Sequence, residues 1–258
     1  MLALLSPAKK LDFTRPLPSV DPTDPALGER SAAVLRAARG ASTAELASLM
    51  DLSEDLARST FERFRDHPGV PDGGRPALSV FAGDVYVGFD AGSLPADGWR
   101  WAQDHLAILS GLYGLLRPLD RIHPYRLEMG TKLANPYGKD LYAVWRPVLA
   151  EVVDRAVEGH PDGTVLNLAS DEYASAIDLK RLRARVVTPV FQDVKDGRAR
   201  AVFLFVKRAR GAMARWLVDH QADRPEAIKD AGVGGYTFDA SASDADRWVF
   251  RRPQPPPP

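Results

Sequence analysis

The chain is 258 residues long, 45% apolar and 26% charged, and its 34 basic and 34 acidic side chains leave no net charge. That length holds a sizeable core, and that balance excludes nucleic-acid binding by overall charge, so only local asymmetry can support it. The absence of cysteine excludes disulfides, thiolate metal sites, a cysteine nucleophile and a thiol-based redox sensor within this chain. The apolar run after Met1 is only four residues long with no basic segment before it, so no secretory signal is expected. No stretch reaches the roughly 18 to 20 apolar residues of a membrane span. A cytoplasmic protein with no membrane partner is expected.

Residues 2–5 (LALL) read as a short buried strand running into Ser6-Pro7, a turn signal. Residues 23–66 read as helical, punctuated at Gly40. Ser42 or Thr43 caps a helix to Met50, with Glu45 as reciprocal partner, and Ser53 caps another toward Asp66. Ala77–Phe81 and Val85–Val87 read as strands around a Gly83-Asp84 turn, 97–104 as helix and 106–109 as a buried strand. Lys139–Glu158 carries Leu141, Val144, Trp145, Val148, Leu149 and Val152 at the spacing of one helix face. Val165–Leu168 reads as a strand, and Ala174–Leu182 as a short helix. Val186–Gln192 and Arg200–Val206 read as a hairpin about Asp196-Gly197. A helix over 207–222 and a strand over 248–250 follow. The fold class is α+β or mixed α/β, a mixed sheet flanked by helices with an N-terminal helical hairpin. Residues 1–250 are expected as a single globular domain with the hairpin at about 42–66 as a subdomain, and 251–258 (RRPQPPPP) as a Pro-rich disordered tail.

Four motifs place small and reactive residues around apolar runs: LALL-SPAK, GDVYVG, LAIL-SGLYG and VLNL-ASDEY. Strand ends that converge at one sheet edge build a shared site, which would gather Ser6, Lys9, Asp84, Tyr86, Ser110, Tyr113, Ser170, Glu172 and Tyr173. The most informative stretch is 109–133, LSGLYGLLRPLDRIHPYRLEMGTKL, where Tyr, Arg, Glu and Gly mix with apolar residues and two prolines stop regular helix. It reads as a site-bearing loop or as a structural crossover with buried hydrogen bonds. SGLYG presents either an anion cradle at a helix N-terminus or a tight turn that needs small residues. Ser6 and Lys9 have the S-x-x-K spacing of a nucleophile and its base, although Pro7 lies between them. The five histidines are scattered, and Asp120 and His123 form only a lone D-x-x-H pair, so no metal site or cofactor is expected.

Residues 178–215 hold eleven basic side chains and three acidic ones, a local excess of eight. On the helix opening near Lys207, positions 207, 210 and 211 share a face, and Gly211 lets a backbone approach closely, as along a phosphate-contacting edge. A solvated face accounts for the same pattern. The paired helices joined at Asp51-Leu52-Ser53 have the outline of a helix-hairpin-helix. Their connection has no glycine and carries Asp51, Glu54 and Asp55.

Together SPAKKLDF, FAGDVYVGFDA, the 109–133 stretch, GKDLYAVW, NLASDEY, VFQDVKDG and KRARG resemble, in order and spacing, the YaaA-type peroxide-stress protein family from Met1 to about Arg251. The resemblance implies a role in hydrogen peroxide resistance in which free iron is kept low and DNA damage is limited. It also implies a mixed α/β fold, a positively charged cleft, a helix-hairpin-helix-like element and binding to double-stranded or branched DNA. Carried over by motif, the cleft residues are Lys9, Asp84, Tyr86, Tyr125, Arg126, Glu128, Lys207 and Arg210. Lys10 stands where many relatives have Thr, and Phe89 replaces a usual Leu. On this reading Lys9, Lys10, Arg126, Lys207, Arg208 and Arg210 contact phosphate. If the cleft is catalytic, Lys9, Asp84, Tyr86, Tyr125 and Glu128 are the candidates. The alternative is an enzyme acting on a nucleotide or phosphorylated small molecule, because Asp84, Glu128 and Glu172 sit oddly in a DNA groove and suit acid/base work. A third reading makes these charges an ion-pair network that organises the fold.

Overall fold

The computed structural model describes residues 1–255. In chain order the elements are β1 (Leu2–Leu5), α1 (Gly28–Gly40), α2 (Thr43–Met50), α3 (Glu54–Asp66), β2 (Arg75–Pro76), α4 (Ala77–Val80) and α5 (Asp84–Phe89). Next come α6 (Ala96–His105), β3 (Leu106–Ser110), β4 (Gly114–Leu116), β5 (Arg121–Ile122), α7 (Leu141–Val157), β6 (Val165–Asn167) and α8 (Asp171–Ala174). The chain closes with β7 (Val186–Lys195), β8 (Arg198–Arg200), α9 (Phe203–His220), β9 (Thr237–Phe238) and β10 (Arg247–Pro253).

Eight strands form one sheet in the order β4-β3-β1-β6-β7-β10-β9, with β8 paired to β7. The five strands β3, β1, β6, β7 and β10 run parallel, and β4, β8 and β9 are antiparallel additions. The continuous apolar runs at β1 and β3 follow from burial of both faces; every residue of both strands is buried. The register places Leu5 beside Ile108 and Leu4 beside Asn167, so β1, β3 and β6 release the chain at one edge. This is a mixed α/β fold. Among the described residues no helix is long and apolar enough to cross a membrane.

Several local expectations were wrong, each for a physical reason. Ala77–Phe81 and Val85–Val87 are not strands; α4 and α5 are helices of four and six residues. Every residue of α4 is buried, and a short run buried on all sides carries no periodicity that separates helix from strand. In α5 the β-branched residues favour strand, and packing against α9 overrides them. Helix α1 starts only at Gly28, because Thr23 bridges to Asp120 and holds the preceding chain extended. The hairpin ends at Arg200 and α9 begins at Phe203, four residues earlier than expected. Helix α8 lies at Asp171–Ala174 rather than 174–182. SGLYG opens no helix: Ser110 pairs with Gly114 across a β3–β4 turn that Gly114 makes at φ +75°. Arg251–Pro253 belong to β10, where Arg252 pairs with Asp193 and donates from Nε to its buried carboxylate at 2.7 Å; residues 256–258 lie outside the described residues. The capping box at α2 formed, with the Glu45 N–H on Ser42 Oγ and the Ser42 N–H on the Glu45 carboxylate. Ser53 sits at the N-cap of α3 without a side-chain cap bond.

Helices α5 and α9 cross in backbone contact. A Cβ on Gly88 would overlap the carbonyl oxygen of Arg208, and one on Gly211 would overlap that of Val85. Gly211 therefore lets a backbone approach, but that backbone is α5 and not a ligand's. Gly211→Ala is expected to cost about 3 kcal/mol. Gly40→Ala, with open space around the new methyl, should gain a few tenths of a kcal/mol. Urea midpoints of the two variants measure the contrast, and equal midpoints would refute the crossing.

The end of α3 is tied to the 109–133 stretch through His67. The Gly69 N–H donates to its Nδ1 at 3.0 Å, so Nε2 carries the proton and donates to Tyr113 Oη at 2.9 Å. Burial, helped by the charges of His123 and Arg39, lowers the His67 pKa to about 4. The unfolded chain takes up this proton as pH falls through about 6.5 and the folded chain does not until about 4. Stability is therefore fully present above 6.5 and is lost between 6.5 and 4. From pH 7 to pH 5 the wild type should lose about 1 to 2 kcal/mol more than His67→Gln in urea titrations; parallel losses would remove His67 as the cause.

Candidate functional site

Three small residues meet where β1, β3 and β6 end. Ser6 Oγ accepts the Ser170 N–H at 2.9 Å and donates to Ser170 Oγ at 3.2 Å. Tyr86 Oη donates to the Ser6 carbonyl at 2.9 Å. Ser110 Oγ shares a 2.8 Å hydrogen bond with Tyr125 Oη and accepts the Tyr113 N–H at 3.1 Å. The ends of LALL-SPAK, LAIL-SGLYG and VLNL-ASDEY thus lie at one edge as expected, but Ser110 and Tyr113 do not face a shared cleft: both are buried, and Tyr113 is bonded to His67 instead. GDVYVG joins that edge from helix α5, through Tyr86.

Tyr86, Tyr125 and Tyr173 are buried. Burial pushes all three phenols upward; Tyr125 adds to the rise at Tyr86 and Tyr173, while at Tyr125 itself the Ser110 bond opposes the rise and Tyr113 adds to it. They remain neutral hydrogen-bonding groups at physiological pH, which suits rigid positioning more than proton abstraction.

The charged residues lie over this polar floor. Lys9 is exposed, and its Nζ meets Glu128 Oε2 at 2.6 Å. Lys9 is therefore engaged by Glu128 and Ser6 by Ser170, so no serine–lysine nucleophile pair forms. Arg126 Nη2 lies 3.9 Å from Glu128 Oε1, while its Nε is buried without a hydrogen-bond partner. Lys9, Tyr125, Arg126, Glu128 and Tyr173 line one recess together with Pro7. Glu172 accepts the Gly130 N–H at 2.9 Å, which tethers the end of the 109–133 stretch to α8. Lys10 is exposed, and its carbonyl accepts the Ala82 N–H at 3.0 Å.

Helix α9 supplies the second basic group. Lys207 and Arg208 are exposed, and Arg208 Nε lies 3.6 Å from Asp84 Oδ1 in the first turn of α5. Arg210 is half-buried, with its Nε also buried and unpartnered. Burial lowers the Arg210 pKa, and the charge of Asp171 opposes that. Asp171 opens α8, whose Tyr173 lines the Lys9–Arg126 recess; α8 thus links the two basic groups. Asp171 escaped notice in the sequence. Its signal was an acid directly after a strand-end serine.

Other sequence candidates take structural roles. Asp120 is buried, accepts the Arg117 N–H at 2.8 Å and the Thr23 hydroxyl at 2.6 Å, and closes its own loop; it makes no metal pair with His123. The run of eleven basic residues does not form one patch. Arg183 pairs with Asp154 and Glu158, Arg185 with Asp246, and Arg215 with Asp219. The α2–α3 connection exposes Asp51, Glu54 and Asp55, the wrong sign for a phosphate contact. Among the described residues no group of three or more His, Asp or Glu is placed to hold a metal ion.

Residues 1–242 match the family description of peroxide stress protein YaaA. The chain is 47% identical over 254 residues to a UPF0246 protein of Bordetella petrii, covering 98% of this chain and 99% of that one. It is 48% identical over 257 residues to a UPF0246 protein of Methylibium petroleiphilum, covering 99% and 100%. A UPF0246 protein of Ralstonia nicotianae is 46% identical over 254 residues, covering 98% of this chain and 99% of its own. By that match over most of its length and by those identities, this protein belongs to the YaaA family of peroxide stress proteins.

Proposed function

We propose that this chain serves the peroxide stress response by holding double-stranded or branched DNA through its phosphate backbone at the carboxyl edge of the sheet. Lys9, Lys10, Arg126, Lys207, Arg208 and Arg210 make the contacts. Three arginines have a buried and unpartnered Nε; Arg75 lies apart on β2, and the observation that carries this reading is that the other two, Arg126 and Arg210, both stand at this edge. A buried donor without an acceptor is costly, and a phosphate oxygen supplies the acceptor that the protein does not. In this reading limitation of free iron follows indirectly from the work at DNA, and the chain acts in the cytoplasm. A second reading rests on Glu128, whose carboxylate between Lys9 and Arg126 would repel a phosphate backbone. It suits acid/base work on a nucleotide or phosphorylated small molecule, with Lys9 as its partner.

Fluorescence anisotropy of labelled duplex and junction DNA tests the first reading. With four to six phosphate contacts, affinity should fall roughly two to three orders of magnitude between 50 and 200 mM salt. Lys207→Glu should weaken binding to every sequence and lower the salt slope by about one or more. Affinity that stays flat with salt sinks the proposal. If a nucleotide raises the melting temperature of a chain that ignores DNA, the second reading takes its place.

Arg210→Met separates binding from folding. Removing a half-buried guanidinium with an unpartnered Nε should leave the urea midpoint unchanged or raise stability by about 1 kcal/mol. DNA affinity should drop about tenfold, through loss of a charged hydrogen bond. Loss of stability in this variant would instead make Arg210 a structural residue.

A further inference from the structure

Helix α9 carries a second feature that the phosphate contacts leave unexplained. Phe203, its first residue, is 85% exposed, the most exposed of the large apolar side chains. Phe203, Lys207, Arg210 and Ala214 follow the i, i+4, i+7, i+11 spacing of one helix face. Along that face burial changes steadily: Ala214 is buried, Arg210 half-buried, Lys207 exposed and Phe203 almost bare. The stripe that packs on the body at its C-terminal end therefore overhangs it at the N-terminal end. The Gly88–Gly211 crossing pins α9 to α5 at Arg208 and Ala212, more than a helical turn beyond Phe203. The preceding hairpin adds exposed Arg198 and Arg200, and the Arg200 side chain donates, among the described residues, to a neutral Gln254 side chain.

A bare aromatic ring one helical turn from an exposed lysine, among further cations, fits one chemistry. Stacking needs a flat π-face, and every nucleobase has one. Aromatic side chains interleaved with basic ones are the recurring means of holding unstacked bases beside their phosphates. A base inside an intact duplex offers no face to the ring. Resting on the phosphate-binding reading above, we infer that Phe203 is a stacking platform for an unpaired base of DNA, with Lys207 and Arg210 holding the adjacent phosphates. What the ring reads is then the unpaired base itself, which a single-stranded gap exposes and an intact duplex does not. The preference resides in a side chain that leaves the fold intact when changed, because it contacts almost nothing.

The test compares the full-length chain on an intact duplex and on the same duplex with a short single-stranded gap carrying 2-aminopurine. The wild type should bind the gapped DNA about tenfold more tightly, within the range of one base stack, and the 2-aminopurine emission should change on binding. Phe203→Ser should lose most of that ratio and the emission change, and Phe203→Trp should keep both. Equal ratios in wild type and Phe203→Ser, with both DNAs still bound in a salt-sensitive way, overturn the stacking role and leave the phosphate reading standing. Failure of the wild type to bind either DNA removes the phosphate reading and the stacking role together.

Discussion

The arrangement at the sheet edge depends on the place where α5 and α9 touch backbone to backbone. Side chains at Gly88 or Gly211 would hold the two helices apart by the width of a residue. Their absence brings the carbonyls of Val85 and Arg208 into the crossing and sets the rotation of α9 about its own axis. Once that rotation is set, Ala214 faces inward, Arg210 enters the protein half-buried, and Arg208 comes to Asp84. The same contact anchors α5, and with it Tyr86, whose hydroxyl holds the Ser6 carbonyl at the end of β1. One steric constraint thus positions groups from three separate parts of the chain.

Where the sequence was legible, one physical rule sufficed. Apolar runs such as Leu2–Leu5 and Leu106–Leu109 had to be buried strands, and strands of that kind pair in parallel and end together. That rule brings Ser6, Ser110 and Ser170 to one edge, and the polar residues that follow each strand come with them. The capping box at Ser42 was legible because it is local, needing only two side chains three residues apart. The misread segments lacked such a local rule. Val85-Tyr86-Val87 is a better strand than helix by propensity, and only its fit against Gly211 makes it helical. Arg251–Pro253 looks like the start of a loose tail until Arg252 meets the buried Asp193, a contact between residues 59 positions apart.

Charge was the least legible property. A run of basic residues in the sequence becomes a patch only if folding leaves it unneutralised, and here it does not. Arg183 and Arg185 are matched by carboxylates from other elements, and Arg215 by Asp219 of its own helix. The two arginines of the proposed phosphate site, Arg126 and Arg210, lie 84 positions apart in the numbering and are brought near each other by α8. Each has a buried nitrogen without a partner, as Arg75 also has elsewhere in the fold, and that property exists only in the folded chain.

Glu128 then acquires a role under either reading of the site. It meets Lys9 at 2.6 Å and stands 3.9 Å from Arg126, so these two cations are partly neutralised before any ligand arrives. An incoming phosphate must displace or share that carboxylate, which weakens binding to an isolated phosphate. Arg210 is different, because its neighbour Asp171 makes no direct ion pair with it among the described residues. A ligand long enough to engage both basic groups gains from Arg210 what it gives up at Glu128, whereas a lone phosphate in the Lys9 recess does not. Under the proposed phosphate reading the pairing would therefore favour extended polyanions over small ones without any base-specific contact, and would let a neutral chain hold DNA without holding every anion it meets.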